Sequence, residues 1–134
     1  MTGDGNRIHH VTFCVEPGNL DAARNMWTEL GYEFVEHTRA ERGMAVLIDM
    51  NRGVEIIAPI GPAATELRAF LDERGEGVYS VVFRTADLDE SLRVARQHRG
   101  ELVFRHQAGS GYRYELARLK PIFGMPITFL DTDL

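Results

Sequence analysis

Two side chains with acid–base chemistry interrupt apolar, strand-like segments of this chain. His10 lies in IHHVTFCVE and Glu55 lies in GVEIIAP. An imidazole titrates near neutral pH, and a carboxylate with apolar neighbours is costly to bury unless a polar group meets it. Either group could take a proton from a bound molecule, and both are of types that bind divalent metal ions. The structural alternative is a strand histidine hydrogen-bonded to Glu55, or a glutamate in contact with water.

Four other residues could contact a ligand. Arg84 is a candidate clamp for a carboxylate or phosphate, or an arginine at a sheet edge that reaches solvent. Tyr112 and Tyr114 follow a Gly-rich turn and could stack on a ligand at a cavity mouth, or be ordinary strand aromatics. Cys14 shares the strand face of His10, where a small buried filler is the alternative to a nucleophile or a ligand contact.

The composition excludes several classes of function. The chain has 134 residues, of which 44% are hydrophobic, and a net charge of −5. An acidic chain with scattered basic residues has no electrostatic basis for binding nucleic acid or a membrane surface. One cysteine cannot form an internal disulfide or a zinc-type cysteine cluster, which is typical of the reducing cytoplasm. We therefore expect a cytoplasmic domain with one core.

The secondary-structure pattern predicts the same five-element unit twice. A βαβββ module is expected over residues 7–60, a linker with a short helix over 61–76, and a second βαβββ module over 77–134. Asn19 and Asp87 are the expected N-caps of the two module helices. In the second module a strand is predicted over 112–116, followed by a long loop over 117–125. Antiparallel strands with helices on one face indicate an α+β fold.

Strand alternation separates the two faces of each sheet. In the first strand Val11, Phe13 and Val15 should pack on the first helix, whereas His10, Thr12 and Cys14 should face the opposite side. The same alternation in the second module defines a cavity-facing set, namely Ser80, Val82 and Arg84 in one strand and Thr128 and Leu130 in the last.

Two segments resemble the vicinal-oxygen-chelate superfamily, which includes glyoxalase I, methylmalonyl-CoA epimerase, extradiol dioxygenases and bleomycin-resistance proteins. They are IHHVTFCVEPGNLDAARNMWTELGYE, from Ile8, and FGMPITFLD, from Phe123. The resemblance implies two βαβββ modules that form a curved mixed sheet around a cavity, with helices on its outer face. It also implies a small-molecule ligand and a homodimer.

The resemblance further implies a metal ligand on the first and last strand of each module. His10 and Glu55 match the two positions of the first module. Ser80 and Thr128 stand at the other two, where histidine and glutamate are usual. A divalent ion (Zn, Ni, Fe, Mn or Co) therefore has only half a site.

Two functions remain open, and so does the question whether the chain is an enzyme. The first is a metal-independent small-molecule binder of the glyoxalase and bleomycin-resistance type. The second is an epimerase, isomerase or lyase in which Glu55 or His10 abstracts a proton next to a carbonyl group. In that case Arg84 or a hydroxyl would stabilise the enolate.

Overall fold

A computed structural model describes residues 6–108 and 113–133, and these divide into two compact units. Module 1 is formed by 10–79, and module 2 by 80–133 together with 6–9. Strands and helices follow the order β1 (Arg7–Cys14), α1 (Leu20–Glu29), β2 (Val35–Glu36), β3 (Met44–Asp49), β4 (Val54–Pro59), α2 (Thr65–Arg74), β5 (Gly77–Arg84), α3 (Leu88–Gln97), β6 (Leu102–Ala108), β7 (Tyr114–Leu119) and β8 (Ile127–Thr132).

Each module has a mixed four-stranded sheet. In module 1 the strand order is β2-β3-β4-β1, with β1 parallel to β4 and the other pairs antiparallel. In module 2 the order is β5-β8-β7-β6, with β5 parallel to β8 and the other pairs antiparallel. The predicted α+β fold with two βαβββ repeats is confirmed. The residue bounds predicted for the modules and the linker stay a prediction.

The predicted inward face of β1 packs on α1. Phe13 and Val15 contact a cluster that includes Trp27 of α1 and the buried Leu47 and Ile56. The opposite face of the same sheet is partly covered by α2, whose Leu67 and Leu71 pack with three buried residues of the strands, namely Cys14, Val46 and Ile57. Both faces of the module 1 sheet are therefore apolar where a helix covers them.

The two predicted helix caps have different outcomes. Asp87 caps α3, because its carboxylate accepts a hydrogen bond from the Glu90 amide at 3.1 Å. Asn19 occupies the predicted N-cap position of α1, but its side chain makes no capping hydrogen bond. The Asn19 amide instead donates to Glu76 at 2.7 Å, and the same carboxylate accepts from the Glu16 backbone. The Asn19 side chain thus bonds to a residue 57 positions away in sequence and not to the first turn of α1.

The predicted end of β7 is wrong. The strand runs to Leu119, beyond the Leu116 boundary, because Ala117 and Leu119 are buried against Leu92 and its neighbours in α3. Pairing with β8 also continues past the predicted boundary, as Arg118 lies opposite Thr128. This extension places Arg118 on a sheet instead of in a loop.

Gly43 allows two backbone segments to meet before β3. Its φ of +64° is in the left-handed region, and a Cβ built there would lie 2.8 Å from the Gly61 carbonyl oxygen. The Gly43 carbonyl accepts hydrogen bonds from the amides of Ile60 and Gly61 at 2.7 and 3.2 Å. A side chain at position 43 would be strained and would also separate these segments.

Asp49 organises the β3–β4 turn of module 1. It is 3% exposed, and its carboxylate accepts from the amides of Glu33 and Arg52 at 2.9 and 3.0 Å and from the Arg52 guanidinium at 3.1 Å. Burial by itself raises the pKa of Asp49, but these hydrogen bonds outweigh burial and hold the pKa below its ordinary value of 3.8. The folded state therefore favours the ionised carboxylate.

The Asp49→Asn variant is expected to lose about 1–3 kcal/mol of unfolding free energy at pH 7. A lowered folded-state pKa stabilises the fold above the unfolded pKa of 3.8, and this contribution disappears as the pH falls through the folded value. The difference between variant and wild type should thus be constant above about pH 5 and shrink below pH 4. Urea titrations across this range measure it, with the exposed Glu73→Gln as control. A difference that grows on acidification would contradict the assignment.

Candidate functional site

A carboxylate, a hydroxyl and an imidazole meet on one face of the module 1 sheet. Because β1 and β4 are parallel, Thr12 lies directly opposite Glu55, and the Thr12 hydroxyl donates to Glu55 Oε1 at 2.7 Å. His10 Nε2 lies 3.5 Å from the same oxygen. His10 and Thr12 are both 4% exposed, whereas the Glu55 side chain retains 20% exposure. The structure thus brings the two predicted acid–base residues together.

Thr12 is a site residue that sequence reasoning missed. Alternation places it on the face of His10, but its role depends on the register that sets it opposite Glu55, 43 residues later. Its hydroxyl holds one of the two carboxylate oxygens of Glu55. This cluster can orient a carboxylate as a hydrogen-bond acceptor or as a base.

Module 2 contains the second predicted pair. The Ser80 and Thr128 hydroxyls lie 2.7 Å apart, and Ser80 also lies 3.5 Å from the Pro126 carbonyl oxygen. Both residues are buried, Ser80 to 3% and Thr128 to 5% exposure. Each hydroxyl is therefore paired with the other inside the sheet.

These donors do not fit a divalent metal ion. The two module 2 positions carry neutral hydroxyls engaged with each other, and a catalytic divalent site usually has about three protein ligands of the imidazole, thiolate or carboxylate type. Within residues 6–108 and 113–133, no group of three or more His, Cys, Asp or Glu side chains could hold a metal. His10 and Glu55 alone make half a ligand set.

The remaining predicted ligand contacts have different surroundings. Arg84 is half-buried, and its Nη2 lies 3.4 Å from the Thr132 carbonyl oxygen as donor. Tyr114 is half-buried in β7, opposite Thr132 of β8. Tyr112 lies outside the described residues. These ligand-binding roles stay predictions.

Cys14 lies at the base of the module 1 face, covered by α2. It is 0% exposed, and burial, aided by the Glu16 charge, raises the pKa of its thiol to about 12. An uncharged thiol sealed by a helix is a poor nucleophile. The ligand-contact role predicted for Cys14 stays a prediction.

We expect Cys14 in native protein to react with a disulfide reagent at pH 8 at least about 100-fold more slowly than in urea-unfolded protein. The Leu71→Ala variant should speed the native reaction, because Leu71 belongs to the α2 cluster over Cys14. Leu30→Ala, at an exposed position after α1, is the matched control. Native and unfolded rates of similar size would show that α2 does not protect the thiol.

Two grooves of about 390 and 370 Å³ open on module 1, and neither is lined by His10 or Glu55. The larger runs along α2 beside Arg68 and Asp72, and the smaller lies by Phe34 and Asp49. Because neither groove contains His10 or Glu55, we locate the candidate site by this acid–base pair and not by the size of a groove.

The sequence of this chain matches one protein family. The family profile described as Glyoxalase/Bleomycin resistance protein/Dioxygenase superfamily matches residues 9–114. No curated protein sequence matches this chain. Among the described residues, none of the helices combines the length and apolar character that spanning a membrane requires.

Several solved structures share the fold at low identity. Methylmalonyl-CoA epimerase from Mycobacterium tuberculosis superposes with a TM-score of 0.73 at 23% identity, over 98% of this chain and 91% of that one. A variant of the Streptomyces coelicolor methylmalonyl-CoA epimerase in complex with 2-nitronate-propionyl-CoA gives 0.71 at 21%, over 96% and 98%. A methylmalonyl-CoA epimerase in complex with methylmalonyl-CoA and NH4+ gives 0.70 at 22%, over 94% of each chain. At these identities the likeness establishes the fold.

Proposed function

The chain belongs to the glyoxalase/bleomycin resistance protein/dioxygenase superfamily, as the resemblance predicted, and from that membership we propose that it binds a small organic molecule without a metal ion. The observation that carries the proposal is the Glu55 carboxylate, held by Thr12 and His10 on the side of the sheet away from α1. It provides a fixed polar anchor on a largely apolar surface, which is how small-molecule sites achieve orientation.

The Ser80–Thr128 hydroxyl pair of module 2 supports the proposal that ligand binding needs no metal ion. Ser80 and Thr128 satisfy each other at 2.7 Å, so burial costs them little and neither needs a cation. Either hydroxyl can still turn toward an incoming carbonyl or amide group.

Ligand-induced stabilisation in the presence of a chelator tests the proposal. The probes are acyl-CoA thioesters, glutathione hemithioacetals and planar aromatic antibiotics. A ligand present at 100 times its Kd stabilises the native state by about 2.7 kcal/mol, which raises the melting temperature by several degrees. We expect at least one class to do so with EDTA present.

Two histidine variants make the test specific. His10→Gln should weaken binding about 10-fold or more, because it changes the imidazole beside Glu55. His98→Gln, at an exposed position after α3, should bind like the wild type. A stabilisation that EDTA abolishes would refute the metal-independent form, and no stabilisation by any class would refute binding.

A second candidate is an isomerase, epimerase or lyase that abstracts a proton next to a carbonyl. The favouring observation is again Glu55, whose carboxylate is oriented at one oxygen and has a proton-transfer partner 3.5 Å away in His10. Structural relatives named as methylmalonyl-CoA epimerases make acyl-CoA thioesters the first substrates to test. Exchange of the α-proton in deuterated water, followed by NMR, separates this candidate from simple binding.

We further propose a cytoplasmic homodimer. The single buried thiol is compatible with a reducing compartment. Apolar side chains of β6, which is paired on one side by β7, retain substantial exposure, namely Leu102 and Val103. Sedimentation equilibrium tests the assembly, and a mass near 15.1 kDa at all concentrations would contradict it.

A further inference from the structure

The module 2 sheet separates its charges by face. Ala117, Leu119, Ile127 and Phe129 pack on the α3 side, so alternation and register place the neighbouring strand residues on the other face. We call this the open face because α3, the helix of module 2, packs on the other side. It is formed by Ser80, Val82 and Arg84 of β5, Thr128, Leu130 and Thr132 of β8, Tyr114, Leu116 and Arg118 of β7, and Phe104 and His106 of β6. Its small and aliphatic residues in β5 and β8 are buried, with exposures from 0% for Leu130 to 6% for Val82, whereas Arg84 and Arg118 are half-buried.

Apart from the Tyr114 hydroxyl, the ionisable groups of the open face are basic. They are Arg84, Arg118 and His106, and among the described residues of β5–β8 this face has no aspartate or glutamate. The sheet carboxylates lie on the α3 side with their own arginines. There Arg105 donates to Glu115 and Asp89, both at 2.9 Å, and Arg113 lies 2.9 Å from Asp131. A basic face in a chain of net charge −5 is thus not a consequence of composition.

The arrangement of the open face suits a compact anion. Arg118 lies between Thr128 on one side and Phe104 on the other, and Arg84 lies beside Leu130, two strands away from β7. Two strand spacings put the two arginines roughly 10 Å apart across the sheet, and the two-residue offset between Leu116, which is level with Arg84, and Arg118 adds roughly 7 Å along the strands. Long guanidinium side chains can converge over that distance on one oxyanion group, with the Thr128 hydroxyl beneath.

An aromatic surface adjoins the arginines. The rings of Phe104 and His106 are stacked, with centroids 5.9 Å apart and planes inclined by 14°. Phe104 remains 36% exposed. A planar apolar group could lie on this surface while its charged end reaches Arg118.

We propose that the open face recognises an anionic group of the ligand, a carboxylate or a phosphate, with Arg118 and Arg84 as specificity-determining residues. The inference rests on the proposed small-molecule binding and adds the chemical class of the ligand. Arg118 was absent from the residues selected by sequence because β7 was expected to end at Leu116.

A matched set of probes isolates the charge. 2-Naphthoate and 2-naphthamide have the same ring system and differ in charge, while 2-naphthyl phosphate replaces the carboxylate by a phosphate. Calorimetry at low salt gives the affinity ratio of each acid to the amide. We expect the wild type to prefer at least one acid about 10-fold or more, and the better acid identifies the group.

Charge-matched variants assign the effect. Arg118→Gln and Arg84→Gln should each reduce the ratio to within about 3-fold of unity. Arg96→Gln, an exposed position of α3, removes the same charge and should retain the wild-type ratio. Arg118→Lys keeps the charge and should recover part of the preference, which guards against a folding defect in the glutamine variants. NMR signals of the Arg84 and Arg118 side chains should shift on addition of the preferred acid.

Several outcomes overturn the inference. These are equal binding of acid and amide, no binding of either acid, a preference that survives both glutamine variants, or a preference lost equally in Arg96→Gln. If acyl-CoA thioesters, hemithioacetals or antibiotics still stabilise the protein under those outcomes, the proposal of small-molecule binding is retained and the proposal of an anion site is refuted. If they do not, both proposals fail.

Discussion

If the chain is the proposed isomerase, the Glu55→Gln variant is expected to lose at least about 100-fold of the α-proton exchange rate, while its affinity for ligand falls by about 10-fold or less. The amide is nearly isosteric with the carboxylate, and its oxygen can still accept the Thr12 hydrogen bond. It cannot take a proton. General acid–base catalysis typically contributes 100- to 10,000-fold, which sets the size of the expected loss.

NMR in deuterated water measures this exchange on branched acyl-CoA thioesters, with melting shifts recorded on the same samples. Glu66→Gln in α2 is the control, because it makes the same chemical change at an exposed position of module 1. Equal exchange in wild type and Glu55→Gln would exclude Glu55 as the base. A wild type that binds thioesters without exchange would exclude the isomerase candidate and leave the binder.

The Leu92→Ala variant is expected to lose about 3 kcal/mol of unfolding free energy, within a range of about 2–5. Leu92 is 2% exposed and packs with Leu88, Ala95, Ala117 and Leu119 where α3 covers the module 2 sheet. Truncation removes apolar contacts and leaves a cavity that the rigid strands cannot fill.

Urea denaturation followed by circular dichroism measures the loss. Val94 lies two residues later in α3 and is 42% exposed, so Val94→Ala should change the unfolding free energy by less than about 0.5 kcal/mol. Similar losses in both variants would mean that α3 does not anchor module 2 through this face. The Leu92→Ala variant should also keep the wild-type preference for the acid over the amide, because Leu92 lies on the side of the sheet away from Arg84 and Arg118.

The fold was largely accessible from the sequence. Alternation in β1 correctly divided Phe13 and Val15 from His10 and Thr12, and the Asp87 cap of α3 was recognised from its spacing to Glu90. These features depend on neighbours within a few residues, where the period of a strand or the first turn of a helix decides the outcome. The repeat of the βαβββ unit then indicated the superfamily.

Part of the candidate site was accessible for the same reason. His10 and Glu55 stood out because apolar neighbours surround them, and the structure brings them to 3.5 Å. Their partner Thr12 did not stand out, because a threonine in a strand is ordinary until the register sets it opposite a carboxylate. Arg118 was missed because its strand was predicted to end at Leu116, three residues before the end at Leu119 that the contacts with α3 explain.

Local patterns were therefore enough to predict the element order, the faces of the strands and the presence of an acid–base pair on one of them. They did not predict that Thr12 holds Glu55, that Asn19 bonds to Glu76, or that α2 seals Cys14 on the face of His10. These contacts differ from the local ones in the sequence distance that they span. Alternation and capping are set by adjacent residues, whereas strand register and helix packing join segments 40 to 60 residues apart, and no local pattern specifies which of them meet.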